Sequence, residues 1–489
     1  MIAVRLRLPS GRLRRWHQAL AARLTLDGAR VSVELAAPAP RPAGLDALEA
    51  LERLVFGRGR AAPGDSVAEG PWSPRADGPV DLVFDLAGAA PAPGVVAVLH
   101  DGHAGEDALH AALLDGRAPL IQLVEPQGDG LRVLAEGRPA YERKWLYSDG
   151  LDAVASRLAL LAREAARGRD AAAPARDARP PARRAARLAP FVARSLAARV
   201  RSRIARLTSS DHHWRIGLRA CAPGEGVMDR LRWPRTPWTW LADDRRRYYA
   251  DPFFFEHEGR IWLFCEEYPY ATGKGVISVA PLDAQGRPGT PQVVLERPYH
   301  LSYPLAFRHA GEIWMMPESS AAGTLELYRA VDFPHRWTRE RALIEGLSLS
   351  DATLFAHDGR FWLTAASAED GSSWDCLSLF VGPGPLGPWT RCGDAPVLID
   401  AAAARPAGPV QRIDGRLWRP AQDCVAGYGA GLAMCRIDRL DESGFAQTVM
   451  ARLAPPPGAP KAGVHTLSRG AGFEAIDALD AWNPWGGRP

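Results

Sequence analysis

Two kinds of hydrophobic pattern divide the chain. In residues 1–167 short apolar runs at 31–35, 80–86, 95–99 and 119–124 read as strands, and stretches of helical spacing at 45–56, 106–114 and 151–166 read as helices. Strands alternating with helices predict a small α/β layer with a parallel sheet. No GxGxxG or GxxxxGK[ST] follows any of these strands, so nothing supports nucleotide binding there. The polar cluster of this region is His100, Asp101 and His103 in LHDGHAG, which a loop after a strand explains equally well.

Residues 168–208 are a different material, rich in Ala, Arg and Pro, and read as a linker running into a basic helix at 185–207. Two readings of that helix stand side by side: a solvated connector, or a peripheral contact with an anionic membrane surface.

From residue 209 to 482 the pattern becomes a repeat. ADPFFFEHEGRIWLFCEEY, SYPLAFRHAGEIWMMPESS, SDATLFAHDGRFWLTAASA, RPAGPVQRIDGRLWRPAQD and GVHTLSRGAGFEAIDAL each contain a strand, a tight turn ending in Gly, and a second strand. The turn glycines Gly259, Gly311, Gly359, Gly415 and Gly472 are 52, 48, 56 and 57 residues apart. That is the length of a four-stranded blade, so the expected fold is an all-β five-bladed β-propeller behind an α/β N-terminal domain. Apolar runs at 276–280, 325–330, 377–381 and 432–437 fill the third-strand places, and 214–218 (WRIGL) is a candidate closing strand. Trp262, Trp314, Trp362 and Trp418 each follow a turn Gly by three residues and read as core wedges.

The repeat is also a ruler. Inner strands of a propeller line one axis, so equivalent positions converge on one mouth. Eight residues before each turn Gly stand Asp251, Tyr303, Asp351, Ala407 and Val464; seven after stand Glu266, Glu318, Ala366 and Gln422, followed at the next position by Glu267 and Asp423 in two of the repeats. Packing does not ask for acids there, because burying them together raises their pKa values or demands partners. Arg405, Arg419, Arg247 and Lys274 could be those structural partners. Sugar chemistry offers the alternative: an inverting glycosidase sets two carboxyls about 6.5–9.5 Å apart, one as base and one as acid. Tyr249, Tyr268, Tyr270, Tyr299, Tyr303 and Trp374 would offer faces for sugar rings.

Composition narrows the classes. The net charge is +4, but the cations are nearly all Arg and the acids nearly balance them, which is codon bias of a GC-rich, bacterial type and no nucleic-acid footprint. The six cysteines show no CxxC and no zinc spacing, so buried free thiols are expected, with no metal and no cofactor. No apolar run of membrane-spanning length and no secretory leader is present, and a cytoplasmic location is the expectation.

The propeller region resembles the clan of arabinanase, xylosidase and levansucrase-type glycoside hydrolases. In that clan an Asp early in blade one is the general base and an Asp early in blade three tunes the acid; Asp251 in ADPFFF and Asp351 in SDATLF match. The clan's Glu of blade four is absent, with Ala407 in its place. YADPF, ATGKG, RPYHLSYP, PESS, SDATLF, RPAG, RPAQDC and HTLSR together resemble the domain at the N-terminus of plant glucosamine inositolphosphorylceramide transferases. Bacterial relatives of that family carry the propeller behind a domain similar to methionyl-tRNA formyltransferase, and residues 1–167 resemble an eroded form of it without its catalytic constellation.

These resemblances imply a protein acting on a glycan or glycolipid, glycosidase-like or glycosyltransferase-like. Asp251 would be the base or position the nucleophile, Asp351 the tuner, and Glu318 or Glu266 the replacement acid, with Glu318 the first candidate. Tyr249, Glu266, Glu267, Lys274, Tyr303, Arg405, Arg419, Gln422, Asp423 and His465 would form the substrate surface. A glycan-binding or scaffolding propeller without catalysis is the alternative.

Overall fold

The computed structural model describes residues 2–38, 40–56, 61–67, 79–167, 187–208, 213–457 and 463–480, with the backbone alone for 201–208. The chain divides into two compact units, Met1–Arg201 with Glu369–Ser372, and the remainder.

The first unit is an α/β layer built from β1 (Ala3–Pro9), α1 (Arg15–Leu26), β2 (Arg30–Ala36), α2 (Leu45–Phe56), β3 (Leu82–Asp85), β4 (Val95–His100), β5 (His103–Ala104), α3 (Asp107–Leu114), β6 (Ile121–Gln127), β7 (Gly130–Gly137), α4 (Tyr147–Ala166) and α5 (Leu188–Thr208). The sheet order is β2-β1-β3-β4-β6-β7, with β5 folded against β4. It is mixed, not parallel as the alternation of elements predicts: β1 to β4 pair in parallel, whereas β6 runs antiparallel to β4 and to β7. The cause is local. Asp101 accepts the Leu120 amide at 2.9 Å and Arg117 at 2.5 Å, which returns the chain to the end of β4 and sets His100 opposite Ile121. Asp101 is thus a structural clasp, and His100 turns its Nδ1 to the Gly105 carbonyl at 3.2 Å.

The second unit is the propeller. Blades one to four are consecutive sheets beginning at Arg247–His257, Ser302–His309, Leu349–His357 and Gln411–Ile413. Blade five takes its inner strands from Leu467–Gly470 and Phe473–Asp480 and its third from His213–Ala220, eight residue pairs in register, so the start of the unit closes the ring as the WRIGL pattern predicts. In every hairpin the turn Gly and the residue before it both have positive φ, for example Glu258 at 51° and Gly259 at 70°. Two such residues in succession give the I′ turn that matches strand twist, which is why the repeat keeps Gly there.

Between blades the wedges pack as expected. Trp314 and Trp362 are buried, and Trp262 and Trp418 lean on adjoining clusters such as Phe253, Phe264, Ile277 and Met315. All six cysteines are free and buried.

Candidate functional site

In blades one to three the inner strand is bulged at one equivalent place, between Ala250 and Phe253, Ser302 and Leu305, and Ser350 and Thr353. The bulged residues are those the ruler picks out, Asp251, Tyr303 and Asp351, with φ of 49°, 47° and 53°. A side-chain-bearing residue in the left-handed region costs about 1–2 kcal/mol, so neighbours must hold it. Each bulge amide is tied to a carboxylate: Asp251 to Asp477 Oδ2 at 3.0 Å, Tyr303 to Asp251 Oδ2 at 3.1 Å, and Asp351 to Glu318 Oε2 at 3.1 Å. Part of the acid recurrence therefore has a structural cause.

Around Asp251, Thr466 Oγ1 donates to Oδ1 at 2.8 Å and His465 Nε2 lies 3.3 Å from the same oxygen. Asp477 accepts the amides of His465 and Thr466, and its Oδ1 lies 2.8 Å from His465 Nδ1, off the hydrogen-bond direction. Burial disfavours charge on this imidazole, but Asp477 and Asp251 on either side outweigh it and raise its pKa well above the ordinary value. Burial likewise pushes Asp251 up, and His465, Thr466 and the Tyr303 amide overcome it to hold the carboxyl below its usual range. Donor atoms of Asp251, His465 and Asp477 all fall within 4.8 Å of one another, close enough to grip a metal ion. The charged imidazole already sits between the two carboxylates where such an ion would go.

Glu266 shares this end of the mouth. Its nearest polar neighbours are the Tyr248 hydroxyl at 3.4 Å and His300 Nε2 at 3.4 Å, both at the long limit. Burial, reinforced by the charge of Asp251, pushes it well above the ordinary carboxylate range. The surroundings thus favour the ionised form of Asp251 and the neutral form of Glu266.

On the blade-three side, Asp351 accepts Arg405 Nε at 2.6 Å and Gln422 Nε2 at 2.9 Å. Burial pushes Asp351 up, to about 8, with the Arg405 guanidinium as the chief group pulling it down and Glu318 and Asp251 adding to the rise. Glu318 accepts Ser320 Oγ at 2.6 Å and Ser350 Oγ at 3.2 Å besides the Asp351 amide, so both its oxygens are committed. Arg405 also donates to Ser373 at 3.0 Å and stacks 5.0 Å from the Tyr428 ring. Tyr428 links the two ends, with ring centroids 5.3 Å from His465 and 5.6 Å from Trp374. Tyr248 lies flat on Tyr268 at 4.8 Å.

Of the residues the sequence nominates, Asp251, Asp351, Glu318, Glu266, Arg405, Gln422 and His465 form this network. Tyr303 is its floor, fully buried with its hydroxyl 2.8 Å from Thr353 Oγ1. Others face elsewhere. Tyr249 packs with Ile216, Leu218 and Leu263; Glu267 binds Arg247 at 2.5 Å and Ser278 at 2.6 Å. Lys274 meets Glu296 at 3.1 Å, Arg419 donates to the Ala404 carbonyl at 2.8 Å, and Asp423 pairs with Arg452 at 3.1 Å. Strand side chains alternate, so a neighbour one residue away faces the opposite side: Tyr248 takes the place expected of Tyr249. Tyr248, His300, Tyr428, Thr466 and Asp477 were not singled out by the repeat; Tyr248 carried a signal in its parity with Glu266, and His300 and Thr466 stood within RPYHLSYP and HTLSR.

A cavity of about 100 Å³ in the α/β unit is lined by Trp16, His17, Arg41, Glu49, His100 and Glu106, among others. Its ions bond one another, Arg41 to Glu49 at 3.2 Å and Arg14 to Glu49 at 2.9 Å.

Residues 242–454 match the family described as Glucosamine inositolphosphorylceramide transferase 1, N-terminal. Curated transferases of this name share 34% identity over 201 residues in rice (Oryza sativa subsp. japonica) and 33% over 204 in Arabidopsis thaliana. The match covers 40% of this chain and 27% and 26% of those proteins, so the chain spans about a quarter of their length. They are plant proteins, against the bacterial setting expected from composition. Among solved structures, a family 117 glycoside hydrolase of the marine bacterium Zobellia galactanivorans is similar at 14% identity and TM-score 0.35, covering 48% of this chain and 86% of that one. RS223 β-xylosidase is similar at 13% and 0.33, covering 41% and 73%. Apart from Glu369–Ser372, the transferase N-terminal domain match lies within the propeller unit.

Proposed function

We propose that the propeller mouth binds a glycan or glycoconjugate and carries acid–base chemistry at a glycosidic bond. The observation that carries this is the contrast between two buried carboxyls at the mouth: Asp251 accepts from Thr466 Oγ1 and the Tyr303 amide with His465 beside it, which favours its ionised form, whereas Glu266 has contacts at 3.4 Å to Tyr248 and His300, which leaves its neutral form favoured. Environments that push two carboxyls apart in this way supply a base and an acid at one pH. Asp251 has three of its roughly four lone-pair positions taken, by Thr466, His465 and Tyr303, which leaves one for a substrate hydroxyl or a water. Glu266, loosely bonded, is the proton donor in this reading; Glu318, expected from sequence to be the acid, anchors the Asp351 bulge instead. Asp351 and Arg405 form a fixed hydrogen-bonded pair, and Tyr428, Trp374, Tyr248 and Tyr268 offer faces to sugar rings. The name of the plant relatives makes a sugar attached to an anionic lipid headgroup one substrate class to try.

The committed oxygens of Glu318 and the Ala at position 407 favour a second reading, recognition of the glycan without turnover. One experiment separates the two. Wild type, Asp251→Asn and Glu266→Gln are incubated with a panel of oligosaccharides and glycolipids, and binding and released or transferred sugar are both measured. Turnover by wild type that falls roughly 10²–10⁴-fold in each variant while binding persists supports catalysis. Binding without product in all three supports recognition alone, and neither in any of them removes both.

A further inference from the structure

Helix α2 of the α/β unit is inverted relative to an ordinary amphipathic helix. Its acids Glu49 and Glu52 are buried, whereas Leu51, Leu54 and Val55 are 58%, 83% and 56% exposed, and Ala47 and Ala50 complete the same outer face. Burying carboxylates and wetting leucines is costly, and a surface helix normally does the reverse. The acids have partners inside: Glu49 binds Arg14, Arg41 and Arg53, and Glu52 accepts the Ser148 amide at 2.8 Å.

The same pattern recurs on α5. Val192, Leu196 and Val200, one helical turn apart, are 37%, 54% and 58% exposed, with Ala193 and Ala197 beside them, while Phe191 and Ser195 face inward. The two helices lie side by side and parallel. Leu188 at the start of α5 meets Gly44 before α2, and Arg199 near its end lies 4.2 Å over the Phe56 ring at the end of α2.

Charge says what this plate faces. Residues 168–208 hold eleven arginines against two aspartates, and α5 itself has five arginines and no acid. An apolar helical surface fused to a polybasic segment is the combination that holds a protein in the headgroup region of an anionic bilayer, where apolar burial and attraction to lipid phosphates act together. We propose that the α2/α5 face docks on an anionic lipid surface, with Leu51, Leu54, Leu196 and Val200 entering the interface. This assignment is independent of the propeller's chemistry.

The test is co-sedimentation of the full chain with vesicles of phosphatidylcholine alone and with about 30 mol% phosphatidylserine, for wild type and for L54S/L196S. Wild type should bind the anionic vesicles and not the neutral ones, and binding should fall as salt rises. The double variant should bind tenfold or more weakly, given roughly that factor for each leucine no longer buried, with an unchanged melting temperature. Failure of wild type to bind anionic vesicles overturns the proposal. So does a concentration-dependent dimer that L54S/L196S abolishes without any effect on vesicles, since the face would then be covered by a second copy.

Discussion

The amide of Tyr303 in blade two donates to Oδ2 of Asp251 in blade one at 3.1 Å, while Thr466 of blade five donates to Oδ1 of the same carboxylate at 2.8 Å. One side chain therefore ties three blades together and still faces the mouth. The proposed function and the framework share this one residue, so its substitution has to be read in both.

Asp251→Asn keeps an oxygen for the Tyr303 amide but loses the charge that helps hold His465 protonated. We expect a stability loss of about 1–3 kcal/mol, with the fold retained and any glycosyl chemistry reduced by orders of magnitude. Chemical denaturation beside a turnover assay checks both. Full activity in the folded variant contradicts the role of base.

His465 gives the propeller a pH dependence of known sign. Its folded pKa is raised above the unfolded value of about 6.5, so its contribution is complete below that pH and is lost as pH climbs through the folded value. Wild type should lose melting temperature relative to His465→Gln as pH rises from about 6 to 9. A gap that widens over that range would show that the imidazole is buried neutral.

Arg405 and Asp351 form a buried pair whose halves depend on each other. Removing the cation alone, as in Arg405→Met, should cost about 3–5 kcal/mol by stranding a buried carboxyl. In R405M/D351N much of that loss should return. If the two single losses simply add in a double-mutant cycle, the pair is not coupled.

Two glycines separate close packing from turn conformation. At Gly408, φ is 135° and a Cβ would stand 2.0 Å from the Leu467 carbonyl oxygen; at Gly415, φ is 75° and nothing lies within 4 Å. Gly408→Ala should prevent accumulation of folded protein or cost more than about 4 kcal/mol, whereas Gly415→Ala should cost about 1 kcal/mol. Equal melting temperatures for the two variants would contradict this.

The propeller was legible because its signals are local and repeated. Each turn Gly, each Trp three residues on and the WRIGL segment report a position in a hairpin, and hairpins of fixed length stack only one way. The mouth was half legible. Counting from the turn found Asp251, Tyr303 and Asp351, since a bulge recurs at a fixed distance from its turn. It did not find Tyr428, which sits in a loop with no repeat position, or Asp477, whose role is to bind amides of a neighbouring strand. Tyr249, Glu267 and Asp423 point away from the network because adjacent residues on a strand face opposite sides, a parity that nearness in sequence alone does not report. In the α/β unit, β1, α1 and β7 escaped because arginines interrupt their apolar positions, as in AVRLRLP.

Asp251 and Glu266 share the mouth that we propose binds sugar. A crystal structure of the chain soaked with mono- and disaccharides tests it most directly. A sugar ring should lie against Tyr428 or Tyr248, with a hydroxyl or glycosidic oxygen in hydrogen-bond reach of Asp251 and Glu266. A sugar seated elsewhere on the propeller, or a mouth that stays free of sugar while the glycan binds in solution, would contradict it.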